Sequence, residues 1–244
     1  MIDLHCHLCF GCDDGPRDAV EALALARALA SAGVTDVACT PHVRPDKGWW
    51  NTSETQAGLH HDLHRVLDEA ALPMRWHQGA EHYFDVDVLH PDFAPRLVPY
   101  DQTRWLLLEL PYLGKPVGVL EALLRLRRRG LRLLLAHVER YPWLCDDDAL
   151  LHAVMDAGCL LQVNLGSLAG AFDRSHRKAA ERLVSTGRAS VAASDAHRAG
   201  DVVRCLEKGR TALRKLVGDE GVRRLTEVTP RAILDDQPPE ALWP

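Results

Sequence analysis

Nine imidazole and carboxylate residues of this 244-residue chain stand at or just beyond the ends of short apolar runs, where a metal centre could collect them: His5, His7, Asp14, His42, Glu81, Glu109, His137, Asp195 and His197. Imidazole and carboxylate donors without thiolate suit Zn²⁺, Mn²⁺ or Fe²⁺, and nine donors allow more than one ion. Three divalent ions would set six positive charges against four carboxylates, a surplus of two that favours an anion, phosphate first. Arg140, three residues beyond His137, and Arg198, directly after His197, carry forked donors that match phosphate oxygens. For each arginine the alternative is a surface salt bridge. The reaction for such a site is hydrolysis, with hydroxide generated on a bridging metal attacking phosphorus in line while ions and an arginine hold the phosphoryl oxygens. Asp14, His42, His197 and Arg140 are the candidates for catalysis; a bound water, a rim carboxylate or a histidine protonates the leaving oxygen.

The opening run MIDLHCHLCFGCDDGP also offers thiols, at Cys6, Cys9 and Cys12. Side chains along a strand alternate between faces, so His5 and His7 point one way and Cys6 the other, together with Leu4 and Leu8. The imidazoles therefore face the chemistry, and Cys9 and Cys12 pack or lie in the loop that brings up Asp14.

These donors need elements that bring them together. Short apolar runs at 2–7, 35–40, 75–80, 104–110, 132–137, 159–164 and 189–194 read as strands. Helical periodicity fills 18–32, 53–71, 117–129, 146–157, 175–186, 201–216 and 230–236 between and after them. Gly33, Gly130, Gly158 and Gly187 follow helices and precede strands, the expected stop signal. Strict alternation implies parallel βα units closing into a barrel of seven or eight, with an open doubly wound sheet as the competitor. The metal-binding side chains then fall at strand C-terminal ends, the rim where barrel active sites lie. Asn164, which ends the sixth strand, faces the same rim; it orients a water or phosphate, or satisfies backbone groups. No linker or composition break divides residues 1–244, so a single domain is expected.

The net charge of −5 argues against a nucleic-acid-binding face, and no run of 18 apolar residues suggests membrane insertion. The first residues lack a basic-then-apolar leader, so a cytoplasmic location is expected, with the seven cysteines free. No cysteine has an arginine six positions on, which excludes a thiolate phosphatase. The run GSLAG at 166–170 fails as a nucleophile elbow because its serine follows the first glycine directly.

In order and spacing, DLHCHLCFGCDDGP, CTPH, GAEHYF, LLLELP, AHVERY and AASDAH resemble the PHP (polymerase and histidinol phosphatase) superfamily. Within it they look like the bacterial PHP-type protein-tyrosine phosphatases that accompany capsule and exopolysaccharide synthesis, and the likeness runs on to TPRAILDD near the end. The resemblance implies an α/β fold, a distorted (β/α)7 TIM-like barrel, with three divalent ions, manganese first and iron or zinc as alternatives. It assigns one ion to His5, His7, Glu81 and Asp195, and a second to Glu81, Glu109 and His137. A third falls to Asp14, His42 and His197, and Arg140 matches the phosphate-binding arginine. The substrate implied is a phosphotyrosine protein, typically the tail of a bacterial tyrosine autokinase; a small-molecule phosphatase similar to histidinol-phosphate phosphatase is the alternative, and a metal-dependent amidohydrolase a weaker one. Trp49 and Trp50, in the loop after His42, either wall an aromatic leaving group or cap the barrel rim.

Overall fold

A computed structural model of the chain describes residues 1–85 and 89–241. Its strands are β1 (Ile2–Cys6), β2 (Asp36–Cys39), β3 (His42–Arg44), β4 (Trp49–Trp50), β5 (Arg75–Gln78), β6 (Glu81–Tyr83), β7 (Trp105–Glu109), β8 (Arg132–Leu135), β9 (Cys159–Asn164) and β10 (Val191–Ala193). The main helices are α1 (Ala19–Ser31), α2 (Ser53–Glu69), α3 (Val119–Arg128), α4 (Pro142–Cys145), α5 (Asp148–Asp156), α6 (Leu165–Leu168), α7 (Arg174–Ser185), α8 (Glu207–Arg223) and α9 (Thr229–Leu234). Asp18 starts α1 by accepting from Val20 N and Glu21 N, and Asp173 caps α7 in the same way. The four predicted stop glycines all take left-handed φ, from 72° to 86°. One predicted helix, 146–157, is shorter than expected: it begins only at Asp148, after the separate turn α4.

Among the described residues all strand pairings are parallel except that of β3 with the hairpin partner β4. Two ladders form, β1-β2-β5 and β10-β9-β8-β7-β6-β3-β4. They belong to one curved wall. Asp36 pairs with Arg75 below the break and His42 with Glu81 above it, a constant offset of 39. So β2 and β3 form one interrupted stave and β5 and β6 another; Pro41, which has no N–H to donate, sits at the first interruption. At the seam, Asp195 N donates to His5 O (2.8 Å) and His7 N to Ala196 O (3.0 Å), joining β1 to the chain beyond β10. The result is a distorted seven-stave barrel.

A buried cluster of Leu4, Ala38, Trp105, Leu107, Leu134, Leu160 and Val191 fills the interior, and a larger one lies between staves and helices. Strand alternation alone assigns Leu4 to the outer face with Cys6 and Leu8, and the structure corrects that. Asp3 pairs with Val37 but Cys6 with Cys39, so two residues, Leu4 and His5, span the place of one. Such a bulge switches the side-chain parity. Leu4 therefore packs inside the barrel, His5 and His7 take over the inner face above it, and Cys6 and Leu8 join Leu25 and Leu29 of α1 in the outer core. Among the described residues no helix is long and apolar enough to cross a membrane.

Candidate metal centre

The nine candidate donors converge at the C-terminal ends of the staves, and Glu81 lies at their centre. Its Oε2 is 3.2 Å from His5 Nε2, 3.3 Å from His7 Nε2 and 3.1 Å from His42 Nδ1. Its Oε1 is 2.8 Å from His137 Nε2. Asp195 Oδ1 stands 3.3 Å from His5 Nε2, and Glu109 Oε2 stands 3.8 Å from His42 Nδ1. On the outer side, Asp14 Oδ1 faces His197 Nε2 at 3.2 Å and His42 Nε2 at 3.7 Å. Four overlapping groups have donor atoms within 4.8 Å of one another: His5-His7-Glu81, His5-His137-Asp195, His42-Glu81-Glu109 and His7-Asp14-His42-His197. Donors on a shared ion, each about 2.1 Å from it, stand roughly 3–4 Å apart, so the spacing fits.

Neighbouring groups fix how the imidazoles point. Gln162 Oε1 accepts from His137 N (2.9 Å) and faces His5 Nδ1 at 3.0 Å. Asp13 Oδ2 faces His7 Nδ1 at 2.9 Å and accepts from His42 N. Those oxygens can only accept, so Nδ1 carries the proton in both histidines and the Nε2 lone pairs are turned toward Glu81 and Asp195. The Tyr141 hydroxyl stands 3.1 Å from His137 Nδ1, and Asn164 Nδ2 donates to Asp195 Oδ2 at 2.7 Å. His137 and Asp195 hold left-handed φ of 32° and 53°, backbone strain of the kind that collects at functional sites.

The local field calls for cations. Burial and the adjacent Glu81 push the Glu109 carboxyl up to about 8, so the two acids need positive charge to stay ionised together. Burial opposes charging of His5, yet Glu81 and Asp195 raise it to about 9, so with no cation beside them these carboxylates draw a second proton to the Nε2 that a metal would otherwise take. In this cluster three buried atoms, Glu81 Oε2, Glu109 Oε2 and His42 Nδ1, have no hydrogen-bond partner among the described residues. Orphaned polar atoms that face one another at 3.1–3.8 Å are what a missing counter-ion leaves behind, and the donor set fits a divalent metal.

Above the cluster opens a cavity of about 740 Å³ lined by Arg44, Trp49, Tyr112, Arg140, Phe172, His197 and Lys208, among others. Arg140 borders this cavity: its guanidinium is 4.5 Å from the Tyr112 ring centre and 3.7 Å from Asp195 Oδ2. Trp49 stacks on His42, ring centres 5.3 Å apart. Two expectations need correction. Trp50 takes the opposite face of β4, is 44% exposed, packs toward Phe93 and does not line the cavity. Arg198 also lies outside the lining: its Nη1 donates to the carbonyls of Asp14, Gly15 and His197, bracing the Asp14 loop rather than facing a substrate. Sequence reasoning missed Asp13, Gln162 and Tyr141. Asp13 is adjacent to a predicted ligand, and strand parity places Gln162 two residues before Asn164 on the same face.

Parallel staves carrying converging imidazoles and carboxylates at one rim define a barrel hydrolase of the metal-dependent class. The chain belongs to the capsular polysaccharide synthesis CpsB/CapC family, whose model matches residues 1–235. It is 29% identical over 198 residues to the tyrosine-protein phosphatase YwqE of Bacillus subtilis, covering 81% of this chain and 77% of that protein. It is 26% identical over 243 residues to the tyrosine-protein phosphatase CpsB of Streptococcus pneumoniae, covering 97% and 99%. A crystal structure from work describing YwqE and CpsB as metal-dependent tyrosine phosphatases superposes with a TM-score of 0.88 at 26% identity, over 97% of this chain and 95% of that one.

Proposed function

We propose that the chain is a metal-dependent protein-tyrosine phosphatase, one domain over residues 1–244, acting in the cytoplasm in control of capsule or exopolysaccharide production. The observation that carries the reading is the set of orphaned atoms around Glu81, whose geometry asks for cations beneath a cavity walled by Arg140. Family membership and the printed activities of YwqE and CpsB support the phosphotyrosine assignment.

In this reading His5, His7, Glu81 and Asp195 hold one divalent ion, Glu81, Glu109 and His137 a second, and Asp14, His42 and His197 a third, with manganese first and iron or zinc as alternatives. Bound there, the ions supply a more acidic water and neutralise phosphoryl charge. The protein does the rest. Asp13 and Gln162 keep the inner imidazoles in the tautomer that presents Nε2. Arg140 holds a phosphoryl oxygen at the cavity side, its plane kept over Tyr112. Asp14, His42 and His197, on the open side, would hold the third ion where the attacking water approaches, and the leaving oxygen takes its proton from water in the open cavity. The partner we infer is a phosphotyrosine protein such as a tyrosine autokinase.

Parallel turnover of a phosphotyrosine peptide, a phosphoserine peptide and histidinol phosphate tests the assignment. Preference for the phosphotyrosine peptide supports it; preference for histidinol phosphate, with indifference to the peptide, turns the protein into a small-molecule phosphatase.

A further inference from the structure

The run GSLAG at 166–170, with the Ala171-Phe172 that follows, builds a turn against the metal centre. Gly170 N donates to Ser167 O (3.0 Å) and Ala171 N to Gly166 O (3.0 Å). Gly170 takes φ +75°, which a side chain would strain. A Cβ at Gly166 would come within 3.1 Å of Phe172 Cε2, so the glycine lets that ring seat. The turn is tied to the strand-end segment of Arg140: Glu139 Oε1 accepts from Ser167 Oγ (2.6 Å) and from Asn164 N (3.0 Å). Glu139 is buried, so this anchor is a rigid one.

The turn delivers one side chain to the cavity. Phe172 is 44% exposed, borders the cavity, and lies with its ring centre 5.4 Å from the Arg140 guanidinium carbon. Two rings therefore lie beside the Arg140 guanidinium, Tyr112 and, slightly further off, Phe172. A single exposed phenylalanine on a surface needs no explanation. One held by a glycine turn against the arginine that faces the phosphoryl group does. A phosphate seated between Arg140 and the His/Asp/Glu cluster must direct its ester substituent outward, because the inner side is filled by the donors. On that outward path the substituent enters the cavity that Phe172 and Trp49 both line.

We infer that Phe172, presented by the Gly166–Gly170 turn, is a specificity-determining residue that seats the aromatic ring of an aryl phosphate beside Arg140. The inference rests on the phosphatase reading above and deepens it. Ring contact at the cavity mouth rewards an aryl ester and is indifferent to a small alkyl one.

The test compares Phe172→Ala and Phe172→Tyr with the wild-type holoenzyme. Inhibition by phenylphosphonate and methylphosphonate, which cannot be hydrolysed, is read beside kcat/KM for phosphotyrosine and phosphoserine peptides. Phe172→Ala should lose about 5- to 10-fold in kcat/KM on phosphotyrosine and in phenylphosphonate affinity, with methylphosphonate inhibition and phosphoserine turnover within about twofold. Phe172→Tyr should keep the aryl preference. Equal losses for aryl and methyl compounds would overturn the inference by reducing Phe172 to a brace for Arg140, and no loss at all would also overturn it. Wild-type protein that hydrolyses neither ester defeats the phosphatase reading itself, which is a separate and distinguishable failure.

Discussion

His42 Nδ1 and Glu81 Oε2 stand 3.1 Å apart, both buried, and neither has a hydrogen-bond partner among the described residues. A strand break delivers this pair: Pro41 precedes His42, Ala80 precedes Glu81, and the two residues are register partners on adjacent staves. A buried ring nitrogen and a buried carboxylate oxygen left without hydrogen bonds cost free energy unless something positive lies between or beside them. The relationship is thus a statement about ligands as much as about packing.

Asp13 does not face the cavity, yet it sets the tautomer of His7 and holds His42 N. Burial opposes its ionisation, but the His7 ring and the N–H groups of His42 and Gly15 hold it at about 2. Replacing it by Ala should weaken metal affinity about 10- to 100-fold, as loss of a ligand's outer partner does. Titration of activity with Mn²⁺ checks this: the midpoint should move to higher metal while activity at saturation largely recovers.

Arg140 is predicted to act through a planar fork. Arg140→Ala should lower kcat/KM for an aryl phosphate by about 100-fold, on the scale of losing one donor to developing charge. Arg140→Lys should restore little, because an ammonium can neither fork onto two oxygens nor stack on Tyr112 in the same way. Steady-state kinetics of both variants, with inhibition by inorganic phosphate, decides it; full rescue by lysine would point to charge alone.

At the opposite end of the barrel Asp36 is buried and bonded by Arg75, His77 and Arg231. Burial opposes its ionisation, but Arg231, Thr35, Arg75 and His77 outweigh that and hold its carboxyl well below the usual range. A depressed carboxylate stabilises the fold above its unfolded value of about 4, and that contribution is lost as pH falls through the folded one. Asp36→Asn should cost about 1–3 kcal/mol at neutral pH. Melting curves of both proteins from pH 7 to pH 3 should show the gap narrowing below about pH 4; a gap that widens in acid would contradict the assignment.

The legible and illegible parts of this fold separate on physical grounds. Apolar runs alternating with helical periods reveal seven staves, and histidine or carboxylate at their ends marks the rim, since few other reasons place such groups there. The bulge at Leu4 and His5 carries no composition signal, because it is a property of pairing with β2, and so alternation alone points Leu4 to the wrong face. Nor does the sequence show that β4 turns Trp49 inward and Trp50 outward, which follows from the antiparallel hairpin with β3. Arg198 resembles a phosphate ligand by its place after His197, yet three carbonyls nearby satisfy it first. Gln162, Tyr141 and Phe172 escape notice because neutral side chains lack the chemistry that singles out a ligand; only folding brings them against His5, His137 and Arg140.

The most direct test of the metal-centre account is activity on a chromogenic aryl phosphate through chelation and restoration, with metal content measured by elemental analysis at each stage. The account predicts that stripping abolishes hydrolysis, that Mn²⁺, Fe²⁺ or Zn²⁺ restores it at close to three ions per chain, and that thiol alkylation leaves it intact. Hydrolysis that survives complete removal of metal, or that is destroyed by alkylation alone, would contradict it.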